Sequence, residues 1–373
     1  MPAIDVTIVT SAHDVADARL HRQVAALRRG GLNVEVLGVG QAQYGPASAA
    51  VRTWRRRGPF GRALLAITLP WRARGTVLVA LDPDSAFGTW VRTRLSGRRC
   101  VIDVHEDYRS VLADRSWAVG WQRWMGRLWA RLGVLAASHA DAVVVADEHL
   151  LPDLERRVLL RNLPDPAMLP EPAGPTKPPR ALYIGDIRAS RGLFTMLAAI
   201  STAPGWQLEL IGAISDADRD RFEQLLAADP ALAERVIWSD RLPPDQAWRS
   251  AATASVGLAL LDDTPAFRDA MPSKVYEYLA TGLPVLTTNL PRPAALVRSS
   301  GAGAVVADAD AASTTLRSWL EQPAELDRLR AAAGDWRTSW LGRPPPTEAF
   351  VGAVSTLVAR AESSTPEQRG TYE

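Results

Sequence analysis

Cysteine and lysine are nearly missing from this chain. Cys100 stands alone, which excludes an internal disulfide and a cysteine-rich metal site and agrees with a reducing cytoplasm. The histidines at 13, 21, 105, 139 and 149 fall at no metal-ligand spacing, so no metal is expected. No apolar run approaches the ~20 residues of a membrane-spanning helix. The opening M-P-A-I-D-V-T-I-V-T has no basic start and no long apolar core, so a secretory signal is not expected. Lys177 and Lys274 are the only lysines among 43 basic residues. That arginine bias follows overall composition, gives no argument for a nucleic-acid partner, and makes Lys274 conspicuous.

What is present describes a globular chain. Its 373 residues suit two domains, and 47% hydrophobic with 23% charged residues are ordinary values. The net charge of +2 hides an asymmetry. Residues 1–162 carry 23 arginines against 15 acidic residues, a net of +8, which leaves −6 for the remainder.

The first half alternates strands and helices. Strands are expected at Ile4–Thr10, Asn33–Leu37, Val77–Ala80, Cys100–Val104 and Ala142–Ala146, with helices between them, as in a parallel βαβ sheet. The loop with His13, Asp17 and Arg19 leaves the carboxyl end of the first strand, where open α/β sheets take ligands. An Asp17–Arg19 pair that merely caps the following helix is an equal alternative. The G-V-G at 38–40 follows the second strand and lacks a third glycine, which excludes a nicotinamide-binding reading. Residues 51–74 place Trp54, Phe60 and Trp71 among basic clusters. They suit either an interfacial membrane segment or a helix packed on the sheet with a solvated arginine face. D-P-D at 82–84 is read as a strand-end element and not a metal site. His105, in D-V-H-E-D-Y, ends the fourth strand.

Seven prolines between 163 and 180 read as a semi-rigid linker. A second alternation covers 181–340, and a tail over 341–373 ends in a helix near 346–362 expected to return to the first domain. The loop G-D-I-R-A-S-R-G at 185–192 follows that domain's first strand. R-V-I-W-S-D-R-L-P-P at 235–244 carries Trp238, read evenly as a base-stacking or a core residue. Asp269 to Leu286 reads D-A-M-P-S-K-V-Y-E-Y-L-A-T-G-L-P-V-L. Pro272 and Ser273 begin a short helix, Val275, Tyr276, Leu279 and Ala280 give its apolar stripe, Gly282 ends it, and Pro284 starts a strand. Asp269 thus precedes the helix and Glu277 lies on it. The helix N-terminus offers free N–H groups to an anion.

This run, with P-S-K-x-x-E-Y-L-x-x-G-x-P-V intact, resembles the C-terminal signature of the retaining GT-B glycosyltransferases, family four. The resemblance is strongest over 180–290. It implies an α/β chain of two Rossmann-like domains whose parallel sheets face across a cleft. The N-terminal domain would be on the acceptor side and the C-terminal one would bind a nucleotide-diphosphate sugar. It further implies that Glu277 holds the ribose hydroxyls, Asp269 and the backbone of Met271, Pro272, Ser273 and Lys274 meet the sugar, and His105 meets its 6-side. Arg191 occupies the position of the family's diphosphate lysine. Asp186 stands where an arginine is usual, with Arg188 as a substitute two residues on. No metal or other cofactor is implied. The acceptor would be a small molecule or a lipid-linked glycan, the location cytoplasmic or peripheral on the inner membrane face. Asp186 keeps open a non-catalytic GT-B protein that binds a nucleotide sugar or glycan. A nucleotide-sugar epimerase is the third reading.

Overall fold

A computed structural model describes residues 3–55, 58–104, 121–148, 150–265, 267–343 and 346–363. The chain divides into two compact units, Met1–Asn162 with Pro345–Glu373, and Leu163–Pro344.

The first unit runs β1 (Val6–Asp14), α1 (Ala18–Arg29), β2 (Val34–Val39), β3 (Ala50–Trp54), α2 (Pro59–Thr68), β4 (Val77–Ala80), α3 (Pro83–Ser96), β5 (Arg99–Val104), α4 (Trp121–Ser138), β6 (Ala142–Val145) and β7 (Arg157–Leu159). Its seven strands are all parallel in the order β3-β2-β1-β4-β5-β6-β7. Val77, Leu78, Val79 and Ala80 are buried without remainder, the pattern of a central strand covered on both faces. The last helix of the chain, Glu348–Ser363, belongs to this unit and buries Phe350, Val354, Leu357 and Val358 in the core beneath β1, β2 and β4.

The second unit runs β8 (Arg180–Ile184), α5 (Leu193–Ser201), β9 (Gln207–Ile211), α6 (Asp216–Ala228), α7 (Pro230–Ala233), β10 (Val236–Ser239), α8 (Pro244–Arg249), β11 (Val256–Ala259), α9 (Ser273–Ala280), β12 (Val285–Thr288), α10 (Pro291–Ser300), β13 (Gly303–Val306), α11 (Ala309–Glu321) and α12 (Pro323–Leu341). Six parallel strands take the order β10-β9-β8-β11-β12-β13. Both units are therefore doubly wound Rossmann-like layers. In each, the strand order reverses once beside the first strand, between β1 and β4 and between β8 and β11. Loops leaving the carboxyl ends of such a pair diverge and open a crevice for a ligand.

One segment differs from the reading of the sequence, and a second, residues 51–74, shows a helix packed on the sheet, one of the two forms that reading left open. The proline-rich stretch is fastened to the second unit: Ala173 and Thr176 donate N–H groups to the carbonyls of Ala252 and Thr253 at 2.8 and 3.0 Å, and Glu171 meets Arg337 at 2.6 Å. Residues 51–74 form an edge strand, helix α2 and a short 3-10 turn at Leu69–Arg72. Leu65 and Leu69 are buried against the sheet, while Phe60, Leu64, Ile67 and Trp71 remain exposed at 81, 55, 48 and 51%.

Candidate active site

Helix α9 is fixed by short-range chemistry. Pro272 caps it in an extended conformation and Ser273 opens it, so its first N–H groups have no partner inside the helix. At the other end Gly282 adopts φ +72°, a conformation that a side chain would strain, and Arg337 donates to the carbonyl of Ala280 at 2.8 Å. The buried side is Val275, Tyr278 and Leu279. Tyr276 lies half-exposed with its ring 6.2 and 6.0 Å from Trp336 and Trp340. Tyr278, left out of the expected stripe, is the helix's anchor on the sheet. Its hydroxyl accepts the Ile184 N–H at 3.1 Å and its ring lies 5.4 Å from Trp248. Burial pushes its phenol well above the usual range.

Lys274 and Glu277 lie on the same helix, 7 and 6% exposed. The Lys274 ammonium donates to the Tyr183 hydroxyl at 3.0 Å and sits 4.1 Å from that ring's centroid. No carboxylate of a described residue is within ion-pair distance of it. A nearly buried cation with only a neutral partner is costly unless an anion joins it. Ser273 donates its hydroxyl to Glu277 at 3.2 Å. Met271 and Pro272 are half-buried at the helix start, and Asp269 is exposed in the turn before it, its carbonyl accepting from Arg292 at 3.1 Å.

The loop after β8 meets this helix at the strand reversal. Gly185 turns at φ +133°, and a Cβ there would lie 3.4 Å from the Lys274 Nζ. Tyr183 donates to the carbonyl of Asp186 at 2.8 Å, so Lys274, Tyr183 and Asp186 form one chain of contacts. The loop also packs on the one leaving β11: Asp262 donates its N–H to Ser190 at 3.1 Å. Gly192, at φ +86°, has room for no Cβ, which would stand 1.9 Å from the Leu260 carbonyl oxygen. Arg191 lies 6.0 Å from the Phe267 ring, its Nε buried without a hydrogen-bond partner. The substitute Arg188 is exposed and donates to Asp186 at 3.1 Å. Asp186 also accepts from Arg241 at 2.6 Å. Burial pushes its carboxyl up, but Arg241, Arg191 and Arg188 together hold it below the usual range. Trp238 is half-buried, its N–H given to Gly212 at 3.0 Å, with Arg219 4.9 Å from its ring and Phe222 packed edge-on. Tyr183 and Arg241 carried no signal in the sequence, since both act through partners more than fifty residues away.

The corresponding reversal in the first unit is built differently. Asp82 caps α3 and its buried carboxylate accepts from the Thr10 hydroxyl and the Ser11 N–H at 2.7 Å and the Ala12 N–H at 3.1 Å. Asp84 pairs with Arg62 and accepts the Trp129 indole N–H at 3.0 Å. The two carboxylates of D-P-D thus serve different partners. Among the described residues no group of three His, Cys, Asp or Glu side chains could hold a metal ion. Asp17 caps α1 through the N–H groups of Arg19 and Leu20, with His13 3.6 Å away. Arg19 does not pair with Asp17: it is buried in a two-pronged bond to Asp103 at 2.7 Å. His105 lies outside the described residues.

Residues 167–336 match the family model of glycosyl transferases group 1. The second unit is a group 1 glycosyl transferase domain. Solved structures of the same fold cover nearly the whole chain. Sucrose-phosphate synthase from Thermosynechococcus elongatus has a TM-score of 0.67 at 17% identity, over 97% of this chain and 100% of that one. HepE of Anabaena, solved with UDP-glucose, scores 0.64 at 13%, over 97 and 100%. WaaG, a glycosyltransferase of lipopolysaccharide biosynthesis, scores 0.63 at 15%, over 93 and 98%. Comparison with curated protein sequences finds no match. The chain has the GT-B fold and is a glycosyltransferase, and within its group 1 domain the signature helix α9 and the β8 loop meet at the strand reversal.

Proposed function

We propose that the protein transfers a sugar from a nucleoside-diphosphate sugar held by the second unit, with retention of the anomeric configuration. The observation that carries this reading is the nearly buried Lys274 ammonium, whose one hydrogen-bond partner among the described residues is the Tyr183 hydroxyl, beside the open N-terminus of α9. A diphosphate there would meet Lys274, Arg191 and the first N–H groups of the helix, in charge-assisted bonds stronger than those to a neutral group. Glu277, one turn along, would take the ribose hydroxyls, and Asp269 with the backbone of Met271 to Lys274 the sugar. Trp238 would shield the base. The UDP-glucose held by the Anabaena neighbour supports this class of donor. Retention follows if the leaving diphosphate itself accepts the acceptor's proton on the same face, with the protein supplying position and charge.

A thermal-shift screen of nucleoside diphosphates and their sugars tests the donor. A ligand bound only by the folded state stabilises it by RT ln(1 + [L]/Kd), about 2.7 kcal/mol at a hundredfold excess over Kd, and so raises the midpoint. No stabilisation by any of them would remove the reading. Donor turnover without transfer, or binding without turnover, would favour the non-catalytic protein, and release of an epimerised nucleotide sugar the epimerase. The pairing of Asp186 with Arg188 and Arg241 supports a working donor site over a failed one.

If Lys274, Arg191 and the helix terminus meet the diphosphate charge, transfer should proceed without a metal. Activity is expected to survive excess EDTA. A loss that magnesium or manganese restores would overturn this assignment.

The acceptor is proposed to be lipid-linked and met at a membrane surface by the first unit. Phe60, Leu64, Ile67 and Trp71 recur every three or four residues and form one exposed apolar face. The basic contribution is smaller than the arginine count: Arg52 and Arg74 pair with Glu35, Arg62 pairs with Asp84, and Arg72 and Arg92 lie over Trp54 and Trp71. Arg55 is exposed, and Arg56 and Arg57 fall outside the described residues. Each arginine near an anionic surface contributes about 1 kcal/mol within a Debye length. Salt-sensitive binding to anionic liposomes is therefore expected, weakened when Arg55, Arg56 and Arg57 become glutamine. Protein that stays in the supernatant at low salt would point instead to a small diffusible acceptor.

A further inference from the structure

One carboxylate in the second unit faces more positive charge than it can match. Asp186 meets Arg241 at 2.6 Å through one oxygen and Arg188 at 3.1 Å through the other. Arg191 acts on the same carboxylate, and Lys274 lies one residue back along the loop, against Gly185. Three arginines thus act on one carboxylate where the strand order reverses, with Lys274 against the preceding glycine. Structural ion pairs commonly balance; this cluster is left with an excess of positive charge.

Arg241 is the member that local sequence does not place there. It follows β10, in the loop leading to α8, and reaches across to the β8 loop over 55 residues of sequence. A single nitrogen, Nη2, is given to Asp186. A guanidinium carries five N–H donors in a planar fork, so its remaining edge is open to a second oxygen-bearing group, and the side chain is about one-third exposed, at 37%. Asp186 therefore holds Arg241 on the β8 loop, which also meets Lys274, without using it up.

We infer that Arg241 is a phosphate ligand of the donor site, positioned by Asp186, so that a diphosphate is gripped from the β10 loop as well as from the β8 loop and α9. This rests on the reading of the second unit as the donor site. Asp186 is a positioning residue in this arrangement: it orients the guanidinium and is not itself bound to the ligand. Repulsion between its carboxylate and the phosphate is offset by Arg188, which stays bonded to its other oxygen.

Inorganic pyrophosphate is the probe, because its binding does not depend on the base or the sugar. Titration calorimetry with the full chain should show that Arg241→Gln weakens pyrophosphate binding by roughly tenfold, the scale of one lost charge-assisted pair. The unliganded unfolding midpoint should stay close to that of the parent. Arg241→Met, which keeps the aliphatic stem, gives the same reading if the glutamine variant does not fold. Asp186→Asn should fall less far, since it removes the repulsion together with the tether. Equal losses in Asp186→Asn and Arg241→Gln would mean that the pair only ties two loops together, and would overturn the inference. So would an unchanged affinity in Arg241→Gln while Lys274→Gln weakens binding. If Lys274→Gln also binds pyrophosphate as the parent does, the donor-site reading itself is wrong.

Discussion

Glu277→Ala should weaken binding of the preferred nucleoside diphosphate by roughly 10- to 100-fold while the protein remains folded. The side chain is 6% exposed and lies one helical turn beyond Ser273, which donates to it at 3.2 Å. Hydrogen bonds to a charged group are worth about 1.5–3 kcal/mol, so this range is the net loss of about one bond to a ribose hydroxyl. The effect on the fold is smaller, because the apolar anchors of α9 are Val275, Tyr278 and Leu279, and none of them is touched. Glu277→Gln keeps the volume and loses the charge, so it should fall between the parent and the alanine variant. Calorimetry gives the affinity, and a melting curve shows that the variant is intact. A variant with full affinity and full transfer activity would remove the ribose assignment.

How much of this could be read in advance follows from the range of the interactions. The α9 segment was legible because its signals are local. Pro272 and Ser273 start the helix, Gly282 takes the positive φ that ends it, and the following strand is a run of apolar residues. The sheets were legible for the same reason, through short apolar runs spaced by helices. What joins the site together is not local. Lys274 finds Tyr183 across 91 residues and Asp186 finds Arg241 across 55. In the sequence Asp186 looks like a defect in a phosphate loop; in the fold it is a charge already met by arginines. Tyr276 reads into the buried stripe in place of Tyr278, because the space that Gly257 leaves for the Tyr278 ring lies on another element. The arginines of residues 51–74 read as free cations because their partners Glu35 and Asp84 lie on other elements.

Gly257→Ala should cost more stability than any ordinary surface change, and should weaken the donor site with it. Gly257 lies in the middle of β11, paired with Val285 on one side and Leu182 on the other. A Cβ built there would stand 2.3 Å from Cγ of Tyr278, well inside van der Waals contact. The ring cannot swing aside freely: it is wholly buried, packs on Trp248 at 5.4 Å, and its hydroxyl holds the Ile184 N–H at 3.1 Å. Replacing glycine by alanine gains about 0.4–1 kcal/mol by restricting the unfolded chain. Overpacking a core costs about 1–3 kcal/mol and at times more, so the clash wins and the unfolding midpoint should fall. Any displacement of the ring is passed to α9, which also carries Lys274 and Glu277. The folded fraction should therefore also bind pyrophosphate less tightly, although position 257 touches no ligand. Tyr278→Leu, combined with Gly257→Ala, makes room for the new methyl. The pair should be less destabilised than the sum of the two single changes, because residues in contact do not add. Strictly additive losses, or a Gly257→Ala protein that melts and binds like the parent, would show that Tyr278 does not seat α9 on that glycine.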